Sequence, residues 1–82
     1  MDEVKAIIKE ELQKILAAKG ESIHQLTPRT IFLADLPMDS LDLATLIVNL
    51  EERIGIDPFR DGFKDFKSFG ELCVLYSNAK QH

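Results

Sequence analysis

The sequence predicts an all-α protein: a four-helix bundle with three main helices, one short helix, and a long loop between the first two main helices. Three observations carry this expectation. Apolar side chains recur at the 3.6-residue spacing of an amphipathic helix in three separate stretches. Residues that cap or stop helices bracket those stretches. No stretch alternates apolar and polar residues in the way a half-buried strand requires. At 82 residues the chain is expected to form a single domain, because ordinary domains run to about 100–150 residues.

The first helix is expected over residues 3–18. Val4, Ile7, Ile8, Leu12, Ile15 and Leu16 follow one face, and lysines and glutamates cover the other. Asp2 is placed to cap it, and Gly20 to stop it in a left-handed conformation. Residues 21–39 hold no sustained period and are expected to be loop. Ile23, Leu26, Ile31, Phe32, Leu33 and Leu36 recur within it, so it should be pinned to a core. Thr27-Pro28 suggests a turn. Pro37 stiffens the backbone just before Ser40 and biases Leu36 away from helix.

The central helix is expected over residues 40–54, with Asp39 as N-cap and Asp42 in the first turn, where acids suit the positive helix end. It carries two apolar stripes. Leu43, Leu46, Ile47, Leu50 and Ile54 form one. Leu41, Ala44 and Val48 form another, rotated by about a third of a turn at 100° per residue. One stripe suffices for a core; the second must meet a neighbouring helix, a ligand or a partner protein. Gly55 ends the helix. The short helix is expected around Phe59, Phe63 and Phe66, weakened by Gly62. Ser68-Phe69-Gly70-Glu71 matches the capping-box pattern and opens the last helix, expected over residues 68–78 with Phe69, Leu72, Cys73 and Tyr76 inward. The tail from Lys80 to His82 should fray.

Composition excludes several function classes. No apolar run approaches the 18 or so residues of a membrane span, so stable membrane insertion is not expected. The N-terminus is not a basic segment followed by an apolar one, so no secretory signal is expected. Cys73 is the sole cysteine, which rules out an internal disulfide and suits a cytoplasmic location. The net charge of −4 is unevenly placed: residues 35–57 hold six acids against Arg53 alone. Such a field repels nucleic acid and steers basic partners toward the central helix.

Active-site constellations are missing. His24 and His82 have no nucleophile or metal-ligand partner at a recognisable spacing, and Cys73 reads as a small buried hydrophobe. Glu51 and Glu52 are adjacent on a helix and do not face one another. No catalytic residue, metal ligand or enzyme activity is expected. Ser40 stands apart. A helix N-terminus presents unpaired N–H groups and favours a phosphate, so a phosphodiester on the Ser40 hydroxyl would be stabilised there. A serine at a helix start can equally be nothing but a cap. On the residues alone both readings stay open.

The segment Phe32-Leu33-Ala34-Asp35-Leu36-Pro37-Met38-Asp39-Ser40-Leu41-Asp42, followed by an apolar helix ending in Leu50-Glu51-Glu52-Arg53-Ile54, resembles the acyl carrier proteins. Length, helix order and charge placement agree, so the resemblance spans nearly the whole chain. It implies one free-standing carrier domain over residues 1–82, with the four-helix bundle already expected. It implies that Ser40, flanked by Asp39 and Leu41, carries 4′-phosphopantetheine taken from coenzyme A by a phosphopantetheinyl transferase. It further implies a monomer that holds acyl intermediates as thioesters for fatty-acid, lipid or polyketide-type biosynthesis. Partners would be acyl-loading and acyl-processing enzymes such as an acyl-ACP ligase, a ketosynthase or an acyltransferase. They would meet Asp35, Asp39, Leu41, Asp42, Ala44, Val48, Glu51 and Glu52.

The chain departs from the family pattern in places. Pro37 replaces the usual glycine, Thr45 stands where an acid is common, and Arg53 follows the glutamate pair. Residues Phe59, Arg60, Phe63, Lys64 and Phe66 are aromatic and mixed in charge where the family is aliphatic and acidic. These departures suggest a specialised carrier with its own partners and an altered acyl pocket. Two other readings remain: an aminoacyl or peptidyl carrier, and a helical interaction adaptor in which Ser40 is only a cap. Asp39 before Ser40 and the acidic central helix favour the acyl type.

Overall fold

The computed structural model describes residues 2–23, 25–60, 62 and 65–80. They form four helices in chain order: α1 (Asp2–Ala18), α2 (Phe32–Asp35), α3 (Ser40–Ile54) and α4 (Phe69–Lys80). Three are long and one is short, as expected. Among the described residues strand-like pairing is limited to one isolated antiparallel bridge between Ile31 and Ser68.

α1 buries Val4, Ile8, Leu12 and Leu16, one residue per turn, with Ile7 and Ile15 packed at the margins. Its end is a Schellman turn. Gly20, at φ 76°, donates its N–H to the Ala17 carbonyl at 3.0 Å, and Glu21 donates to the Leu16 carbonyl at 2.8 Å. α1 packs against both α3 and α4. α3 adds Leu46 and Leu50, both fully buried, flanked by half-buried Leu43, Ile47 and Ile54. α4 adds Phe69, Leu72, Cys73 and Tyr76. Its capping box is formed as the sequence pattern requires. Glu71 donates its N–H to the Ser68 hydroxyl at 3.2 Å, and its carboxylate accepts the Ser68 N–H at 3.0 Å. Burial pushes the Cys73 thiol above its ordinary pKa, as suits a packing residue.

Arg53, a departure from the family pattern, ties two helices together. Its guanidinium donates to Glu11 at 2.8 Å and to Glu10 at 3.0 Å, both on α1. The Arg53 hydrogen bond holds the Glu11 carboxyl below the usual range, against the opposing effect of burial.

The long loop is pinned, as expected. Thr30 donates its N–H to the Thr27 carbonyl at 3.0 Å, closing the Thr27-Pro28 turn. Gly70 donates to the Pro28 carbonyl at 3.0 Å, and Phe69 to the Thr30 carbonyl at 2.9 Å. The loop therefore lies on the start of α4.

The position of the short helix is a correction. It lies at Phe32–Asp35, inside the stretch read as loop. Phe32 is fully buried there and donates its N–H to the Lys67 carbonyl at 3.1 Å. The Asp35 carboxylate accepts the Ile31 N–H at 2.7 Å and closes the helix start. No helix forms among the described residues between Asp57 and Lys67. The Asp57 side chain accepts the Phe59 N–H at 2.9 Å, an Asx turn, and Gly62 sits at φ 135°, which a helix does not allow. Phe59 and Phe66 instead join an aromatic cluster. Phe66 lies 5.9 Å from Phe59 and meets Phe32 edge-on at 6.1 Å. Phe63 and Lys64, like His24 and His82, lie outside the described residues.

Candidate functional site: the head of the central helix

Ser40 is the first residue of α3, and its surroundings are built by its neighbours in sequence. Leu36 and Met38 are buried and Pro37 between them is exposed. Met38 donates its N–H to the Leu36 carbonyl at 2.8 Å, a tight turn that delivers Asp39 to the cap position. Asp39 accepts the Asp42 N–H at 2.9 Å, and Asp42 accepts the Asp39 N–H at 3.1 Å. This reciprocal capping box fills the role a capping serine would play. Ser40 is left exposed, with no hydrogen bond to its hydroxyl among the described residues.

A cation reaches the same place from α1. Lys19 donates to Asp42 Oδ2 at 2.6 Å and to the Pro37 carbonyl at 3.1 Å. Its hydrogen bond, with that of the Asp39 backbone, holds the Asp42 carboxyl below the ordinary carboxylate range. Lys19 and Met38 were not among the residues expected at the site. Twenty-three residues separate Lys19 from Asp42, and no local spacing signals the pair. Met38 carries a weak signal, an apolar residue next to a proline in a polar turn.

The second stripe of α3 faces outward. Leu41 is 74% exposed and Val48 53%, and Ala44 between them is exposed as well. Glu51 and Glu52 are exposed at the far end of the same helix. Asp35 is exposed on α2, but its carboxylate is occupied by the Ile31 N–H. The acids expected at the partner surface therefore differ in kind: three are engaged in local backbone hydrogen bonds and two are not.

One turn below Ser40, Leu43 lines an apolar cavity of about 290 Å³ together with Phe32, Leu33 and Phe66. Leu33, half exposed, stands in its wall.

Residues 3–74 match the family model described as the phosphopantetheine attachment site. The acyl carrier protein of Chlamydia trachomatis serovar D is 32% identical over 81 residues, covering 99% of this chain and 95% of its own length. The chain belongs to the acyl carrier protein family. The acyl carrier protein of Chlamydia caviae is 30% identical over 80 residues, covering 98% of this chain and 94% of its own. Among solved structures, the chain resembles MacpD, an acyl carrier protein from Pseudomonas fluorescens involved in mupirocin biosynthesis. That match has a TM-score of 0.80 at 35% identity, covering 94% of this chain and 70% of MacpD. Membership identifies this acyl carrier protein as a carrier rather than a catalyst, and its cofactor as 4′-phosphopantetheine.

Proposed function

We propose that Ser40 carries the 4′-phosphopantetheine arm and that the protein holds acyl intermediates for fatty-acid, lipid or polyketide-type biosynthesis. One observation carries the assignment. Ser40 opens α3 with an exposed, unengaged hydroxyl, because Asp39 and not Ser40 caps the helix. A serine kept only as a cap would accept a first-turn N–H, and here that N–H goes to Asp39. The adaptor reading thereby loses its account of Ser40.

The site also fits the group. The first-turn N–H groups and the positive end of a 15-residue helix favour a phosphodiester at Ser40 Oγ. A phosphopantetheinyl transferase would move the arm from coenzyme A to that oxygen. Once attached, the arm supplies a thiol that holds the acyl group as a thioester. This chain's own part is to present the arm and to shelter what it holds. The tethered group reaches each partner site at high effective concentration. The cavity beside Leu43, with Phe32 and Phe66 in its walls, supports an apolar acyl group.

Partners would dock on the exposed stripe of Leu41, Ala44 and Val48, flanked by Asp35, Asp39, Asp42, Glu51 and Glu52. Acyl-loading and acyl-processing enzymes are the expected class. The likeness to MacpD, together with the aromatic cluster of Phe32, Phe59 and Phe66, supports a specialised pathway. We place the carrier in the cytoplasm as a monomer, with residues 1–82 as one domain. Among the described residues no helix is long and apolar enough to cross a membrane, in keeping with that placement.

Intact mass tests the assignment. The chain is incubated with a promiscuous transferase and coenzyme A, and should gain one arm. Ser40→Ala should gain none while melting at a temperature close to that of the wild type. A gain that survives in Ser40→Ala, or no gain with several transferases, would overturn the assignment.

A further inference from the structure

The acids of this chain's partner face are not equally available, and the cause lies on α1. Lys19 sits in the Schellman turn that ends α1, so its stem leaves from fixed backbone. Its ammonium donates to Asp42 Oδ2 at 2.6 Å and to the Pro37 carbonyl at 3.1 Å. These two bonds land on either side of Ser40, three residues before it and two after. Asp42 Oδ2 also accepts the Asp39 N–H at 3.1 Å, so one carboxylate oxygen serves both the helix cap and the lysine. Lys19 and Asp42 are each only partly exposed, with side-chain accessibilities of 38% and 20%.

We infer that Lys19 is an internal stand-in for a partner's cation: it takes Asp42 out of the acidic face open to basic partners. A lysine or arginine of a docking enzyme that approaches Asp42 competes with Lys19 for Oδ2. At the other end of α3, Glu51 and Glu52 are exposed and appear in no ion pair among the described residues, whereas Arg53 beside them is turned to Glu10 and Glu11 of α1. The partner-directed field of α3 is therefore strongest at its far end, about 17 Å from Ser40 at the 1.5 Å rise of a helix. Docking there leaves the Ser40 end of α3 clear for the partner's active site. A surface lysine–carboxylate pair contributes little to stability. Its effect is on which charges a partner meets.

This inference rests on the carrier assignment, and the experiment separates the two. Loading of the apo protein by a promiscuous transferase is followed by mass, giving the KM for the carrier and its dependence on salt. The set is wild type, Lys19→Met, Asp42→Asn, the double variant, Lys19→Arg, and Lys9→Met. Lys9 is an exposed lysine on α1, so its loss is a charge-matched control. Lys19→Met exposes Asp42 and should lower KM by about threefold or more with a steeper salt dependence, while Lys9→Met changes it by less than about twofold. Asp42→Asn should raise KM by a factor about three times larger in the Lys19→Met background than in the wild type. Lys19→Arg, which keeps the charge, should keep the wild-type KM and salt slope. Thermal melts establish that each variant is folded at the assay temperature. An equal effect of Asp42→Asn in both backgrounds, or equal effects of Lys19→Met and Lys9→Met, would overturn the inference while leaving the carrier assignment intact. Failure of the wild type to load would overturn both.

Discussion

A Cβ at position 70 has no room. It would lie 2.8 Å from the Pro28 carbonyl oxygen and 2.9 Å from the Pro28 Cβ, and the first of these is backbone that cannot swing away. The Gly70 N–H donates to that same carbonyl, so the contact is also what docks the loop on α4. Gly70→Ala is expected to destabilise the fold by about 1–3 kcal/mol, as overpacking does. Urea unfolding checks this: the midpoint should fall and the slope should hold. The same residue-scale reading distinguishes Asp39 from Ser40. Both stand where α3 begins, but Asp39 makes the capping bond and the Ser40 hydroxyl makes no hydrogen bond among the described residues. Tyr76 is a third case. Its ring is fully buried and its hydroxyl has no hydrogen-bond partner among the described residues; burial, with the negative charges of Glu51 and Asp57, pushes its pKa well up.

α3 is a helix with two audiences. Leu46 and Leu50 face α1 and the core, and Leu41, Ala44 and Val48 face outward. A surface helix that shows three apolar residues in one line, bounded by acids, has the composition of a docking surface with a basic rim opposite. The Glu51 and Glu52 side chains are exposed and make no ion pair among the described residues. Reversing both to lysine should weaken partner binding by about tenfold or more and flatten its salt dependence, while the thermal midpoint moves little. Titration of a loading or processing enzyme at two salt concentrations measures this. Unchanged binding would remove the far end of α3 from the partner surface.

At the scale of the molecule, three carboxylates among the described residues are held in their charged form by the fold. Arg53 stabilises charged Glu11, Lys19 does the same for Asp42, and the Lys67 and Ser68 N–H groups for Glu71. Each has a lower pKa folded than unfolded, so the unfolded chain binds more protons as the pH falls. Their stabilisation is complete above the ordinary carboxylate range of about 4 and is lost as the pH falls below that range through the lowered folded values. Lys19 and Arg53 are shifted upward by the same pairs, and their contribution is lost only in strong base. Thermal midpoints should therefore be level from about pH 6 to 8 and decline modestly below about pH 4, because solvent screens these interactions at the surface. Arg53→Met should remove part of that acid dependence, because Glu11 then loses its principal partner.

The sequence by itself determined the long helices and the place of Ser40 at the head of the central one. α3 runs over Ser40–Ile54 as its apolar period, Asp39 and Gly55 require, and Ser68 and Glu71 open α4 with the box their spacing encodes. Period and capping are local physics, complete within one or two turns, so they are readable without a neighbour. The position of Ser40 after the Asp39 cap was readable for the same reason, whereas its proposed role came from the family resemblance. Only the tertiary structure placed the short helix. Phe32–Asp35 is too brief to show a period and is held by the Lys67 carbonyl and the burial of Phe32. The phenylalanines after Asp57 have helical spacing, yet Phe59 and Phe66 pack into a cluster with Phe32 because an Asx turn and Gly62 break the backbone there. The charges follow the same division. Acidity along α3 is written in the sequence, but which acids are free depends on cations arriving from α1 or turning back to it. Lys19 reaches Asp42 across 23 residues and Arg53 reaches Glu11 across 42, and pairings at that separation exist only once the chain has folded.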